Sequence, residues 1–377
     1  IFLKQIQCKF YNIIRMNMNS PRYFYFIDLL RWFAAMGVLI HHYKAHFNIS
    51  SEKIHNSKVF SIIMDNAIIG SYGVWFFWSV SGFVFANILT NQKTKILEFS
   101  IKRFSRLYPL HFLTLLLITL LEFYSFSRFE SFQMSTNIYD LYHFVLNLFF
   151  ISEWGLQNGL SFNSVIWSVS IEIPVYFAFF SMIFFFKKNL LTYIFLFFIL
   201  FKLLLHIELF HHHLKACFFY FLFGAFIYLF CLKFEKYKKF FIFVSIVGVL
   251  IWPFLVHIEK IEYFAFIENF LPSTLILFGS LILFAFFIEK TFSRIGKKLS
   301  FLGNASYAIY LTHLPIQVFI LILLKLNFFK DQLFYSLTTF FLFLILINFI
   351  SIITFKYFEN PCRKKINEYF ITNKSNV

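Results

Sequence analysis

The feature that most limits this chain is a succession of apolar runs, each about as long as a bilayer is thick. A helix needs about 20 residues to cross the hydrocarbon core. Runs of that order recur at 24–43, 67–89, 107–124, 165–186, 189–207, 214–232, 240–256, 270–288, 301–325 and 332–355. Hydrophobic residues make up 60% of the chain and charged ones 14%, with 64 phenylalanines in 377 residues. A soluble domain of this size has too little interior to hide so much apolar surface. In lipid, backbone polar groups must be satisfied within the spanning segment, which selects helices for runs of this length. The expected class is therefore all-α, a polytopic membrane bundle of about ten transmembrane helices. Leu141–Ile151 is too short to cross and reads as re-entrant or interfacial.

Charge gives this layout a direction. The net charge of +16 could suit nucleic acid or anionic lipid, but its distribution follows topology. With both termini placed in the cytoplasm, 24 of the 34 lysines and arginines fall in inside segments and six in outside ones. That is the positive-inside bias. Had Leu141–Ile151 crossed, every later connection would change sides and the bias would be lost. The chain then divides into a cytoplasmic segment (1–23), a membrane domain (24–357) and a short cytoplasmic tail (358–377). Met16 and Met18 precede the first run, so residues 1–15 are readable as an over-extended start, and no cleavage site marks a signal peptide. The four cysteines show neither a C-x-x-C pair nor metal-ligand spacing, and no disulfide framework is implied.

Several runs carry groups that lipid does not favour. The first holds Asp28, Arg31, His41 and His42. Eleven residues separate Arg31 from His42, roughly 20° past three whole turns and about 16 Å of rise. Asp28 lies within about 40° of the same face. Ionisable groups inside a span usually face a bundle interior or a wet cavity; the plainer alternative is that they anchor the two ends of the helix. Ser81-Gly82-Phe83 in the second run offers a small pair for close helix approach or for a ligand. Arg103 and Arg106, three apart, make a fork suited to phosphate oxygens, although topology alone explains positive charge there. Trp167-Ser168-Val-Ser-Ile-Glu172 opens the fourth run, where Glu172 needs a partner and His42 is a candidate; a protonated, hydrogen-bonded Glu is the alternative. In the ninth run Tyr310 and His313 share a face, with Pro315 just beyond. His206 and His211–His213 lack the carboxylate or thiolate that would complete a metal site, so no metal is expected.

In this order, the motifs resemble those of the acyltransferase-3 family of integral membrane acyltransferases, which includes O-antigen and other polysaccharide O-acetyltransferases. The resemblance runs from about Asp28 to Pro361. It rests on Arg31-x10-His42 preceded by Asp28, Ser81-Gly82-Phe83, Arg103-x-x-Arg106, Trp167-Ser168-x3-Glu172, Ser306-Tyr-x2-Tyr310-x2-His313 and Phe358-Glu359-Asn360-Pro361. Leu29, Trp32 and Trp75 depart from residues common in the family pattern. The resemblance implies transfer of an acyl group, most often acetyl from acetyl-CoA, to a hydroxyl of a glycan or lipid-linked saccharide outside the cytoplasm. The implied setting is the bacterial inner membrane, with no permanently bound cofactor, and a separate extracytoplasmic partner is compatible with it. On this reading His42 is the base, since imidazole titrates near neutrality, and Asp28 or Glu172 orients it. Arg31 holds an anion or stabilises developing negative charge. Arg103 and Arg106 engage donor phosphates, and Ser81, Gly82, Trp167, Ser168, Tyr310 and His313 line the path. The expectation that ties these roles together is a shared hydrated chamber joining Asp28, Arg31, His42 and Glu172. A transporter would also bury charge, but the paired repeats that many transporters show are not visible. A non-catalytic scaffold would tolerate neutralising every buried charge.

Overall fold

The structure, a computed structural model, describes residues 23–54, 57–91, 95–134, 136–186, 194, 212–261 and 272–372. Among these the chain is helical and has no strand, only one isolated bridge between Ile138 and Ser161. The α-helices in order are α1 (Tyr25–His46), α2 (Lys58–Asp65), α3 (Gly73–Asn91), α4 (Ile96–Phe129), α5 (Leu141–Leu148) and α6 (Trp167–Phe186). They continue as α7 (His212–Lys233), α8 (Lys238–Ile261), α9 (Pro272–Asn304), α10 (Ser306–Lys325), α11 (Leu337–Thr354) and α12 (Asn360–Asn367).

Eight helical stretches among the described residues are long and apolar enough to cross a membrane. The two differences from the ten runs have plain causes. The run 24–43 does form a helix, α1, but its ionisable residues lower its hydropathy and it is not one of the eight. The run 189–207 lies outside the described residues, apart from Ile194. The short run at 141 forms the eight-residue α5, too short to span. Residues 289–300, a connection by the charge argument, are themselves helical: α9 continues to Asn304 with non-helical torsions at Phe292. Large apolar side chains such as Phe243, Leu250 and Phe254 on α8 are exposed, as expected of a helix facing lipid.

The chain folds as two compact units, one from residues 1–31, 75–94 and 172–300, the other from 32–74, 95–171 and 301–377. In the first unit α3 and α7 touch backbone to backbone. A Cβ on Gly82 would overlap the carbonyl of Phe221, and one on Gly224 would overlap that of Ser79. Only a residue without a side chain allows so close a crossing. At the start of α1, Glu289 Oε2 accepts from the Phe26 N–H at 2.9 Å, satisfying one of the orphan donors of that helix end.

In the second unit α10 is buried along most of its first three turns, from Ser306 to Pro315, and packs on α4 and α11. The Tyr307 hydroxyl donates to the Leu107 carbonyl of α4 at 2.8 Å. Within α4 the buried Glu122 accepts from the N–H groups of Gln133 and Met134 at 2.7 and 3.0 Å, which pins the turn after the helix. Pro174 lies inside α6 without ending it. Lacking an N–H, it frees the carbonyl four residues back, and the Trp154 indole donates to that carbonyl, on Ser170, at 2.9 Å. Two helices of this unit end alike. After α1 the Ile49 N–H bonds the Lys44 carbonyl with Asn48 at φ 48°, and after α10 the Phe328 N–H bonds the Leu323 carbonyl with Asn327 at φ 62°. Asparagine is the side chain that, after glycine, best tolerates this left-handed stop.

Candidate functional site

In the second unit α1 and α10 face each other across two rungs. His42 Nδ1 lies 2.7 Å from His313 Nε2, and His46 Nδ1 lies 2.8 Å from Gln317 Oε1. Both helices advance four residues between rungs, so they run in the same direction, and each presents one face through the i, i+4 spacing. The His42 and His313 rings are near-parallel and meet edge to edge, with centroids 4.9 Å apart at 19°, as an in-plane N–H···N bond requires, while His42 and His46 are near-parallel at 5.3 Å and 14°. His41, tilted at 50°, has its centroid 5.5 Å from that of His42.

The hydrogen bonds fix where the protons sit. His313 Nδ1 is 3.0 Å from the Ile309 carbonyl, which can only accept. That nitrogen therefore carries a proton, and in the neutral ring Nε2 is an acceptor. His42 Nδ1 must then donate to it, which leaves the lone pair of His42 on Nε2. An imidazole held in one tautomer with a bare Nε2 is equipped to take a proton from a hydroxyl. His313 is almost wholly enclosed, whereas His42 is half-buried. Gln317 is fully buried, and its Nε2 has no hydrogen-bond partner among the described residues.

The other sequence candidates form local groups. Tyr310, on the same helix as His313, donates to the Val165 carbonyl at 2.8 Å, so the Ser168 hydroxyl, also 2.8 Å away, donates to Tyr310. This ties the start of α6, with Trp167 half-buried beside it, to α10. In the first unit Ser81 Oγ donates to Glu172 Oε1 at 3.1 Å, and the Tyr176 hydroxyl donates to the other carboxylate oxygen. Asp28 accepts from the Tyr23 hydroxyl and pairs with Arg31 at 3.5 Å. Arg103 and Arg106 are half-buried on the first turns of α4, with the Arg103 guanidinium 5.8 Å from the Phe99 ring centroid. Ser105 between them donates to Asn367 of α12 at 2.9 Å, so the segment following Phe358–Pro361 packs against the helix that bears both arginines.

Within the second unit the ring partner of His42 is His313. Within the first, the carboxylates that sequence offered for orienting His42 have donors of their own, the tyrosine and arginine for Asp28 and the serine and tyrosine for Glu172. Gly82, read from sequence as a binding residue, meets the Phe221 backbone where α3 and α7 cross. His46 and Gln317 stand in no motif, and their signal in the sequence is spacing alone, each lying four residues beyond His42 or His313. Among the described residues no group of three or more His, Cys, Asp or Glu is arranged to hold a metal, the imidazole cluster included.

Comparison with known proteins covers the length of the membrane domain. A family model described as an acyltransferase domain, acyltransferase type 3, matches residues 24–356. A curated relative, "Acyltransferase MdmB" of Streptomyces mycarofaciens, is 28% identical over 152 residues, covering 40% of this chain and 36% of that protein. The matched segment thus spans about a third of the relative's length. No solved structure matches.

Proposed function

The chain belongs to the acyltransferase-3 family, and from that premise we propose that it moves an acetyl group from acetyl-CoA to a hydroxyl of an extracytoplasmic glycan or lipid-linked saccharide. The observation that carries the reading is the His42–His313 rung, because it leaves His42 Nε2 free to act as base. In the step itself, Nε2 takes the proton of the acceptor hydroxyl as its oxygen attacks the thioester carbonyl. The carbonyl oxygen gains negative charge, the C–S bond breaks, and the departing thiolate recovers the proton to leave as CoA–SH. General-base assistance of this kind is worth about 10²–10⁴ in rate.

The remaining roles follow from charge and position. Arg103 and Arg106 hold the donor phosphates at the cytoplasmic end of α4, an assignment favoured by the bidentate match of guanidinium to phosphate. Tyr310 and Ser168 fix α10 against α6 and so hold His313 in register. Arg31, paired with Asp28, balances charge near the inner end of α1. Glu172 with Ser81 and Tyr176 forms a satisfied buried carboxylate within the first unit.

The test uses the purified full chain in nanodiscs with radiolabelled acetyl-CoA and cell-surface polysaccharide. Release of free thiol in step with label appearing on the saccharide supports the proposal. Solute uptake by vesicles bearing the protein, with no thiol released, would identify a carrier instead.

A further inference from the structure

Beyond the rungs, at the end of α1 that carries His42 and His46, the second unit holds a cavity of about 790 Å³. It is lined by Lys53, Ser57, Gln332, Tyr335, Ser336, Leu337 and Thr338. Small-molecule sites commonly enclose about 300–1,000 Å³, so this volume is of the right order. Two connections meet here, the one that leaves α1 at Asn48 and the one that leaves α10 at Asn327. They are tied back to the base-bearing helix: the Tyr43 hydroxyl, next to His42, donates to the Phe334 carbonyl at 2.9 Å, and Phe47 stacks on the Phe334 ring at 4.3 Å. Phe334 immediately precedes Tyr335 of the lining.

The walls are held in place independently of any ligand. Ser57 and Ser336 are helix caps, their hydroxyls accepting from Phe60 N and Thr339 N at 3.2 Å each. Lys53 donates to the Asn48 carbonyl at 2.8 Å and lies 5.5 Å from the centroid of the Tyr335 ring. An aromatic face, an ammonium, a carboxamide and a threonine hydroxyl therefore border one space, and no carboxylate is among its lining residues. Such a wall suits a molecule with apolar C–H faces and many hydroxyls, and it does not suit a metal cation.

We infer that this cavity is the subsite for the acceptor saccharide, with Tyr335 as its stacking platform and Lys53, Gln332 and Thr338 as its hydrogen-bonding rim. The inference rests on the acyl-transfer reading above and adds where the acceptor docks. The arginines assigned to the donor lie near the start of α4, while the Lys325–Ser131 hydrogen bond at 2.9 Å brings the turn after that helix to the end of α10 from which the cavity-lining connection leaves. Donor phosphates and acceptor sugar are thereby given different ends of the same unit.

The experiment measures acetyl transfer by the full chain in nanodiscs from labelled acetyl-CoA to methyl glycosides of glucose, galactose, mannose, rhamnose and N-acetylglucosamine. Tyr335→Ala should raise the half-saturating concentration of the accepted glycoside by about tenfold, the upper range for loss of one aromatic contact. Tyr335→Phe keeps the platform and should stay within about twofold, and acetyl-CoA saturation should not move in either variant. Equal glycoside saturation in wild type and Tyr335→Ala, or an equal shift for donor and acceptor, would overturn the subsite. If wild type consumes acetyl-CoA with no glycoside acetylated, the saccharide assignment falls while acyl transfer stands. If wild type consumes no acetyl-CoA at all, the underlying reading falls and the subsite with it.

Discussion

A single hydrogen bond decides what His42 can do, because a buried carbonyl at Ile309 dictates the proton on His313 and His313 dictates the one on His42. His313 is in this account a positioning residue and His42 a catalytic one, and substitutions should separate them. His313→Ala should lower kcat by about 10- to 100-fold, in the range seen for partners that orient other functional imidazoles, with donor and acceptor KM little changed. His313→Gln supplies an amide oxygen in place of Nε2 and should recover part of the loss. Equal kcat in wild type and His313→Ala would show that the tautomer is set some other way. Both histidines were legible in the sequence as polar residues in apolar runs, but their pairing was not. A helical wheel says which residues share a face and is silent on which helix that face meets.

Elements are placed here by glycines, caps and prolines more than by any amphipathic pattern. Gly82 and Gly224 let α3 and α7 meet at the backbone, so Gly82→Ala or Gly224→Ala should destabilise the first unit by at least about 1–3 kcal/mol, the usual cost of overpacking. The check is the thermal midpoint in detergent, and an unmoved midpoint would contradict the crossing. The exposed Asp140 caps α5, accepting from the His143 N–H and from the His143 ring, both at 2.7 Å. These contacts, the backbone N–H first, hold its carboxyl below the ordinary carboxylate value of about 3.9. A depressed carboxyl stabilises the fold above its unfolded pKa and loses that contribution as pH falls through the folded one. Amide-exchange protection of α5 should therefore persist to about pH 4 and weaken below it, while Asp140→Ala should be weakly protected throughout. Protection in that variant equal to wild type would remove the cap from the account. Sequence gave the existence of most spanning helices, because length and hydropathy alone decide that, and it gave α5 as a short non-spanning piece. It did not show that 289–300 is helical, since a lysine-rich stretch reads as a connection by charge even where the backbone continues its turns.

For the molecule as a whole, transfer across the bilayer requires the two ends of the second unit on opposite sides, with the arginines of α4 facing the cytoplasm and Lys53 facing outward. A membrane-impermeant maleimide should label Lys53→Cys in intact cells and Lys365→Cys only after permeabilisation; the reverse pattern would invert the topology. The most direct test seals the full chain in vesicles with acetyl-CoA on the side of the arginines and acceptor saccharide on the other, and follows acetylated saccharide over time. Wild type should transfer, and His42→Ala should fall by about 10²–10⁴ at equal protein level. Transfer by His42→Ala at the wild-type rate would contradict the claim that this imidazole is the base.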